Sequence, residues 1–428
     1  VRKQPLLQWK MIDSRRGASQ TAYQVLVAST PEGAVEGKAD LWDSGMVKSD
    51  QSVFIPYQGK PLTTGQTCYW KLRIWDQEGK VSDWSETASW EMGLLSSSDW
   101  KASWIARSKE KPGRSALMRK EISLPEQELA KARLYVTGLG NYVFYINGNR
   151  VGEDLLTPGW TDFRKRVEYQ VYDVTGMLQV GNNALGAILG NMWWSGGVGW
   201  KGGVRYSEGP LQMLAMLELT FEDGTVTTFG TDTTWKWHDS PIVYDHIYHG
   251  ETYDANLELP GWDEAGFDDS AWAVAEPASF GGSVDGPVFP PLREQMEVDA
   301  VSLAEPVPGE YVFDLGQNIV GWARMIVNGA KGDTITLLYA ELLHEDGTVA
   351  QENLRSAKAT DRIICNGEEL VWEPKFTYHG FQYVQVSGLK QKPDITDLAG
   401  KVIHTDEPFT GKLETSNQLI NAIYKNIT

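Results

Sequence analysis

The chain is organised around residues 157–203, which read TPGWTDFRKRVEYQVYDVTGMLQVGNNALGAILGNMWWSGGVGWKGG. Pro158 and Gly159 form a turn signal, and residues 167–174 are rich in β-branched and aromatic side chains, which predicts a strand. Short strands and turn signals of this kind recur along the chain, and no helical apolar period persists over its first ~400 residues. The pattern predicts an all-β protein built from tandem β-sandwiches.

The end of this stretch carries three tryptophans, Trp193, Trp194 and Trp200, among five glycines. An indole offers a large apolar face and one N–H donor, which suits a flat, partly apolar ligand such as a sugar ring. We therefore expect the three indoles to form an exposed surface that either binds carbohydrate or contacts a neighbouring domain. The alternative is that they are ordinary core residues of their own unit.

Composition narrows the class of protein. The chain has 428 residues, of which 41% are hydrophobic, so about three domains with sizeable cores are expected. The net charge of −18 disfavours nucleic acid and anionic membranes as partners. No apolar run is long enough to span a bilayer. The two cysteines, Cys68 and Cys365, are far apart and without metal-site spacing, which predicts free buried thiols.

The strand and turn patterns divide the chain into four parts. They are a fibronectin type III-like sandwich at residues 1–95, a galactose-binding-like jelly roll at 96–290, a further β-sandwich at 291–412, and the start of a helical domain at 413–428. The jelly roll is a candidate carbohydrate-binding module, and Asn147-Gly148 predicts one of its hairpins. Residues 311–327 are expected to form two strands around a Gly-Gln-Asn turn.

The last residues have a different pattern from the rest. Leu419, Ile420, Ile423 and Ile427 recur at helical spacing, and Ser416 is the expected N-cap. We expect this amphipathic helix to open a helical domain that continues beyond the sequence given.

A group of carboxylates in residues 250–258 is the first candidate for catalysis. Glu251, Asp254 and Glu258 lie close together in sequence, near His246 and His249. Inverting glycoside hydrolysis uses an acid and a base whose carboxyl groups stand ~6.5–9.5 Å apart, with room for a water. We prefer the interpretation of a hydrogen-bonded structural hairpin. The GxGxxG match at residues 197–202 lacks a following helix, so we expect no required cofactor.

Nine segments spread over nearly the whole chain together carry a family resemblance. They are TAYQVLVAS (21–29), LWDSG (41–45), YWKLRIWD (69–76), WEMGLL (90–95), YINGNRVGEDLLTPGWTDF (145–163), GETYDANLELPGWDEAGFDDSAW (250–272), FDLGQNIVGWARM (313–325), HEDGTVAQENLRSAKATD (344–361) and YHGFQYVQVSGL (378–389). In this order they resemble the bacterial α-L-rhamnosidases of glycoside hydrolase family 78.

The resemblance implies a modular enzyme that removes terminal non-reducing α-L-rhamnose from α-L-rhamnosides with inversion. In that family the catalytic carboxylates lie on a C-terminal (α/α)6 barrel, of which residues 413–428 resemble the first helix. We therefore expect no catalytic residue in this chain. Its expected partners are rhamnose-containing glycans or glycosides and its own C-terminal catalytic domain. The alternative is a free-standing carbohydrate-binding or scaffold protein without catalysis.

Some members of that family have a rhamnose-binding module that uses calcium. By this resemblance Asp162 and Asn191 are the candidates for binding sugar and calcium, because calcium takes oxygen ligands from carboxylates and amides. The sequence fixes neither the compartment nor the oligomeric state. We favour a secreted or periplasmic location over the cytoplasm.

Overall fold

The structure is a computed structural model that describes residues 3–108, 114–199, 205–207 and 209–427. Strands dominate these ranges, as predicted, and the α-helices within them are Met192–Ser195 and Gln418–Ile427. Single turns of 3-10 helix occur at Ser97–Asp99, Thr175–Met177, Ala255–Leu257, Glu352–Leu354 and Ile395–Asp397. No helix in the described part of the chain is both long and apolar enough to cross a membrane.

The first unit is built around the strand Gln20–Ala28. It pairs with Thr67–Asp76 along one edge and with two short strands along the other, and nearly all of its side chains are buried. Val25, Val27 and Cys68 are fully buried in its core, and the Cys68 thiol is free, as predicted. The strands of this unit are Leu6–Leu7, Gln20–Ala28, Trp42–Asp43, Val47–Lys48, Ile55–Pro56, Thr67–Asp76 and Ala88–Glu91.

The second unit, called the jelly roll below, consists mainly of two six-stranded antiparallel sheets. Leu134 from one sheet and Phe144 and Leu185 from the other lie in one hydrophobic core. The predicted hairpin is present, with positive φ at Asn147 (51°) and Gly148 (77°). Its strands are Ile105–Ala106, Ala116–Leu124, Leu129–Leu139, Asn141–Ile146, Asn149–Arg150, Arg166–Glu168, Gln170–Asp173, Gly181–Gly190, Gln212–Phe221, Val226–Gly230, Lys236–Asp239, Ala273–Val274, Glu276–Pro277 and Ser283–Asp285.

The third unit contains a ten-stranded sheet. Its longest strand, Glu310–Val327, stands where two strands were expected. The expected turn at Gly316 is only a register shift between Asp314 and Ile319, after which the strand pairs again with the same neighbour. Its strands are Ile242–His246, Gly250–Asp254, Leu292–Asp299, Ser302–Val307, Glu310–Val327, Thr334–Ala340, Leu342–Leu343, Val349–Ala350, Thr360–Ile364, Leu370–Trp372, His379–Ser387 and Leu398–Thr405.

The jelly roll and the third unit are joined by a shared hairpin. Its strands Ile242–His246 and Gly250–Asp254 fall within residues 96–290, yet they extend the sheet of the third unit. Gly250–Asp254 pairs in parallel with Thr360–Ile364. The sheet therefore contains strands from both sides of residue 290. The boundary predicted at that residue does not separate two sheets.

The helix Gln418–Ile427 forms where the apolar spacing predicts it. Its N-cap is Asn417 rather than Ser416, because the Asn417 side-chain oxygen accepts the backbone N–H of Leu419 (2.9 Å). The apolar side chains of Leu419, Ile423 and Ile427 are exposed.

Candidate functional site

The predicted tryptophan surface is buried where the structure describes it. Trp193 and Trp194 lie in the one-turn helix Met192–Ser195 and are only 6% and 9% exposed. Both belong to the core of the jelly roll, where the Trp194 ring meets Phe163 edge-on. The expectation of exposure is wrong for these two residues, because indoles bury a large apolar area when a turn directs them inward. Trp200 lies outside the described residues.

A different tryptophan of the same stretch is exposed. Trp160 follows the Pro158-Gly159 turn and is 54% exposed. Its ring lies parallel to that of Trp193, with 5.8 Å between centroids, and its indole N–H donates to the Tyr206 hydroxyl (3.1 Å). The ring is therefore fixed on one side by the core and open on the other.

Asp162 and Asn191, the calcium candidates, are already engaged within the protein. Arg164 donates to the Asp162 carboxylate at 2.8 and 3.0 Å. The Asn191 side chain donates to Asp245 (2.8 Å), and its oxygen accepts the Ser195 hydroxyl (2.7 Å). Calcium needs about six to eight oxygen ligands. Among the described residues no group of three His, Cys, Asp or Glu side chains could hold a metal ion. Calcium binding stays a prediction.

Glu251 of the carboxylate group is buried between the shared hairpin and the third unit. One of its carboxyl oxygens accepts the backbone N–H groups of Lys375 (3.1 Å) and Phe376 (3.0 Å). Its own backbone N–H donates to the buried Asp361 carboxylate (2.7 Å). Burial raises the pKa of Glu251 to about 8. The side chain thus connects two segments of the fold.

The remaining members of this group have local partners. Asp254 accepts the backbone N–H of Asn256, and the Tyr253 hydroxyl donates to Glu258. The imidazoles of His246 and His249 stack with 4.1 Å between centroids, and burial lowers the pKa of His246 to about 4. The arrangement agrees with the structural hairpin that we preferred, although Glu251 is buried rather than solvated.

A cavity of about 590 Å³ lies between the jelly roll and the third unit. Aromatic and charged side chains line it together, which is typical of ligand sites but also of polar domain interfaces. Burial raises the pKa of Asp263 at its wall. The aromatic and charged residues of this lining are Tyr145, Tyr253, Glu258, Trp262, Asp263, Arg324, Trp372, Glu373, Lys375 and Lys401.

Three family models match the chain in succession. They describe a Rha78A-like N-terminal immunoglobulin domain at residues 1–96, an α-L-rhamnosidase N-terminal domain at 127–295, and a bacterial α-L-rhamnosidase concanavalin-like domain at 305–404. The chain belongs to the bacterial α-L-rhamnosidase family. Immunoglobulin and fibronectin type III domains share the sandwich architecture, so the first of these matches agrees with the fold predicted for residues 1–95.

Individual rhamnosidases align over almost all of this chain. The α-L-rhamnosidase of Streptomyces avermitilis is 32% identical over 600 aligned positions, which cover 99% of this chain and 58% of that protein. The crystal structure of the α-L-rhamnosidase from that organism, complexed with L-rhamnose, is 31% identical with a TM-score of 0.91. The match covers 100% of this chain and 58% of that one. The α-L-rhamnosidase structure from Dictyoglumus thermophilum is 37% identical with a TM-score of 0.93. The match covers 99% of this chain and 49% of that one.

The chain spans about half the length of the curated rhamnosidases it matches. Within this part of a rhamnosidase-family protein, sequence reasoning missed the cavity residues Trp262 and Glu373 and the exposed Trp160. The signal for Trp160 was its position directly after a Pro-Gly turn, where a side chain projects from the surface. Glu373 had no local signal, because strands distant in sequence form the cavity.

Proposed function

We propose that the protein to which this chain belongs hydrolyses terminal non-reducing α-L-rhamnose residues of α-L-rhamnosides. The observation that carries the proposal is the succession of three rhamnosidase-type domains along the chain. The relatives that align over 98–99% of it are named α-L-rhamnosidases. Rhamnose-containing glycosides are accordingly the proposed substrates.

We assign this chain to the non-catalytic part of that enzyme. Inversion needs a carboxylic acid and a carboxylate base on opposite faces of the sugar, ~6.5–9.5 Å apart. Glu251, Asp254 and Glu258 instead accept hydrogen bonds from protein groups. The catalytic pair then belongs to the roughly half of the relatives' length that this chain does not span. The helical barrel expected from the family resemblance is the proposed location.

The test compares the 428-residue chain with the full-length gene product on p-nitrophenyl α-L-rhamnoside. We expect turnover by the full-length protein, with the inverted anomer as the first product seen by NMR, and none by the chain alone. Glu251→Gln in the full-length protein is expected to keep its activity once folded. Turnover by the chain alone that Glu251→Gln or Glu258→Gln abolishes would place catalysis here and refute the assignment. An inactive full-length protein that still binds rhamnosides would favour the scaffold alternative.

A further inference from the structure

A cleft of about 230 Å³ opens on the jelly roll, away from every group considered for catalysis above. It lies between the turn at residues 157–161, the strand Arg166–Glu168 and the segment 287–292. That strand pairs in parallel with Ser283–Asp285, which brings the distant segment beside the turn. The volume is below the ~300–1,000 Å³ of sites for drug-sized ligands, so the cleft suits one small ring.

One wall of the cleft is the exposed ring of Trp160. Its stacking on Trp193 and its hydrogen bond to Tyr206 hold the indole in place before any ligand arrives. A fixed aromatic ring loses little conformational entropy on binding. The open face is therefore a preorganised platform for an apolar ligand surface.

A second wall of the cleft is apolar. Phe289 is 70% exposed there, and Pro287, Pro290 and Pro291 flank it. Prolines have no backbone N–H and a fixed φ, so this wall is stiff and offers few hydrogen-bond donors. Two exposed aromatic rings on the walls of one small cleft are unusual unless a ligand covers them.

Several polar side chains also line the cleft, and among them Glu168 is only 6% exposed. Within the described part of the chain its buried Oε1 has no hydrogen-bond partner, and the nearest Arg166 nitrogen stands at 4.0 Å, beyond hydrogen-bond distance. Burial raises the pKa of Glu168. A buried acceptor without a donor is costly, and a ligand hydroxyl would relieve that cost.

We propose that this cleft binds one neutral pyranose ring of a glycan, with an apolar face of the ring on Trp160 and ring hydroxyls donated to Glu168. Aromatic and proline walls beside a buried, unpaired acceptor oxygen match the two chemistries of a sugar, C–H faces and O–H edges. An anionic sugar would add a further negative charge to a cleft that already holds the carboxylates of Glu168 and Asp154. The site differs from the predicted one, since Trp160 replaces the buried Trp193 and Trp194 as the platform. The proposal does not depend on hydrolysis.

The experiment titrates the 428-residue chain with L-rhamnose, D-galactose, D-glucose and D-glucuronate, followed by calorimetry and saturation-transfer NMR. We expect at least one neutral sugar to bind with about millimolar affinity, as is usual for a ligand of few atoms. Glu168→Gln should weaken that binding by about tenfold, because a neutral amide oxygen replaces the carboxylate as the hydrogen-bond acceptor. Trp160→Ala should remove it within the titrated range.

Two matched controls accompany these variants. Glu222→Gln alters an exposed carboxylate of the jelly roll outside the cleft, and Phe54→Ala removes an exposed ring from the first unit. Both should bind like wild type. If Glu168→Gln lowers the melting temperature, its weaker binding could come from a destabilised fold. In that case Trp160→Ala and Phe289→Ala, which alter exposed positions, test the cleft instead.

Three results would overturn the proposal. The first is no saturable binding of any neutral sugar up to about 100 mM, well above the expected dissociation constant. The second is binding that Trp160→Ala and Phe289→Ala leave unchanged. The third is a preference for D-glucuronate over D-glucose. None of them bears on hydrolysis by the full-length protein, so the two proposals fail separately.

Discussion

At the residue scale, the Glu251 carboxyl group shows how burial changes the chemistry of a side chain. It accepts two backbone N–H groups, of Lys375 and Phe376, through one oxygen, while its other oxygen is unpaired among the described residues. Desolvation penalises the charged form, and nearby Asp361 and Asp245 add to that effect. The folded protein therefore binds a proton at Glu251 more tightly than the unfolded chain does.

The consequence is a stability that falls as pH rises. The pKa of Glu251 is raised from 4.5 to about 8, so its contribution to stability is complete below pH 4.5 and is lost as pH rises towards 8. Glu251→Gln removes this titration while keeping an acceptor for the two backbone donors. We expect the melting temperature of wild type to drop more between about pH 5 and pH 8 than that of the variant, by about 2–4 °C for each kcal/mol.

Scanning calorimetry at several pH values measures this difference. Glu222→Gln, at an exposed position, is the control and should follow wild type throughout. Parallel melting curves for wild type and Glu251→Gln across this range would contradict the proposed titration.

At the element scale, the shared hairpin holds the jelly roll to the third unit. Gly250 begins its second strand with φ of 100°, and a Cβ there would collide with the backbone oxygen of Thr360 on the neighbouring parallel strand. The glycine thus allows two backbones to approach at the crossing between sheets. Sequence alone predicted the hairpin's carboxylates but not this approach, because Thr360 is more than a hundred residues away.

Gly250→Ala tests this crossing. We expect the free energy of unfolding to fall by about 1–3 kcal/mol or more, because a positive φ and a steric collision act together. Gly266→Ala is the matched control, because Gly266 also has a positive φ (85°) but nothing within 4 Å of its Cβ position. Gly266→Ala should lower the free energy of unfolding by only ~1 kcal/mol. Urea unfolding compares the two, and equal losses would show that the contact with Thr360 does not matter.

At the scale of the whole molecule, the strands of the three units are followed by a helix with an exposed apolar face. Leu419, Ile423 and Ile427 are exposed on it, whereas most large apolar side chains of the sandwiches are buried. Exposed apolar patches of this kind favour association with another surface. In the proposed enzyme that surface belongs to the helical barrel.

The double variant Leu419→Ser with Ile423→Ser tests the role of this face. We expect less self-association of the 428-residue chain in sedimentation velocity at high concentration, because apolar area is removed from the surface. The melting temperature of the sandwiches should change little, since these side chains are exposed. Lys425→Ser, also on this helix, should leave self-association unchanged. An equal degree of association in the double variant would exclude the helix as its cause.

The sequence by itself determined the features that depend on neighbouring residues. Period-two alternation gave the strands, Asn147-Gly148 gave its hairpin, and apolar spacing gave the last helix. The Rha78A-like, N-terminal and concanavalin-like matches agree with the expected family. Two predictions from local pattern were wrong. Asn417 caps the last helix instead of Ser416, and residues 311–327 lie in one continuous strand instead of two.

Only the tertiary structure decided which side chains are buried and which of them meet. Trp193 and Trp160 lie in the same stretch of sequence, yet one is in the core and the other at the surface. The cleft of Trp160 and Glu168 is closed by Phe289, and Glu251 is held by Lys375 and Phe376. Burial is set by surfaces that come from distant parts of the chain, and a local pattern contains no information about them.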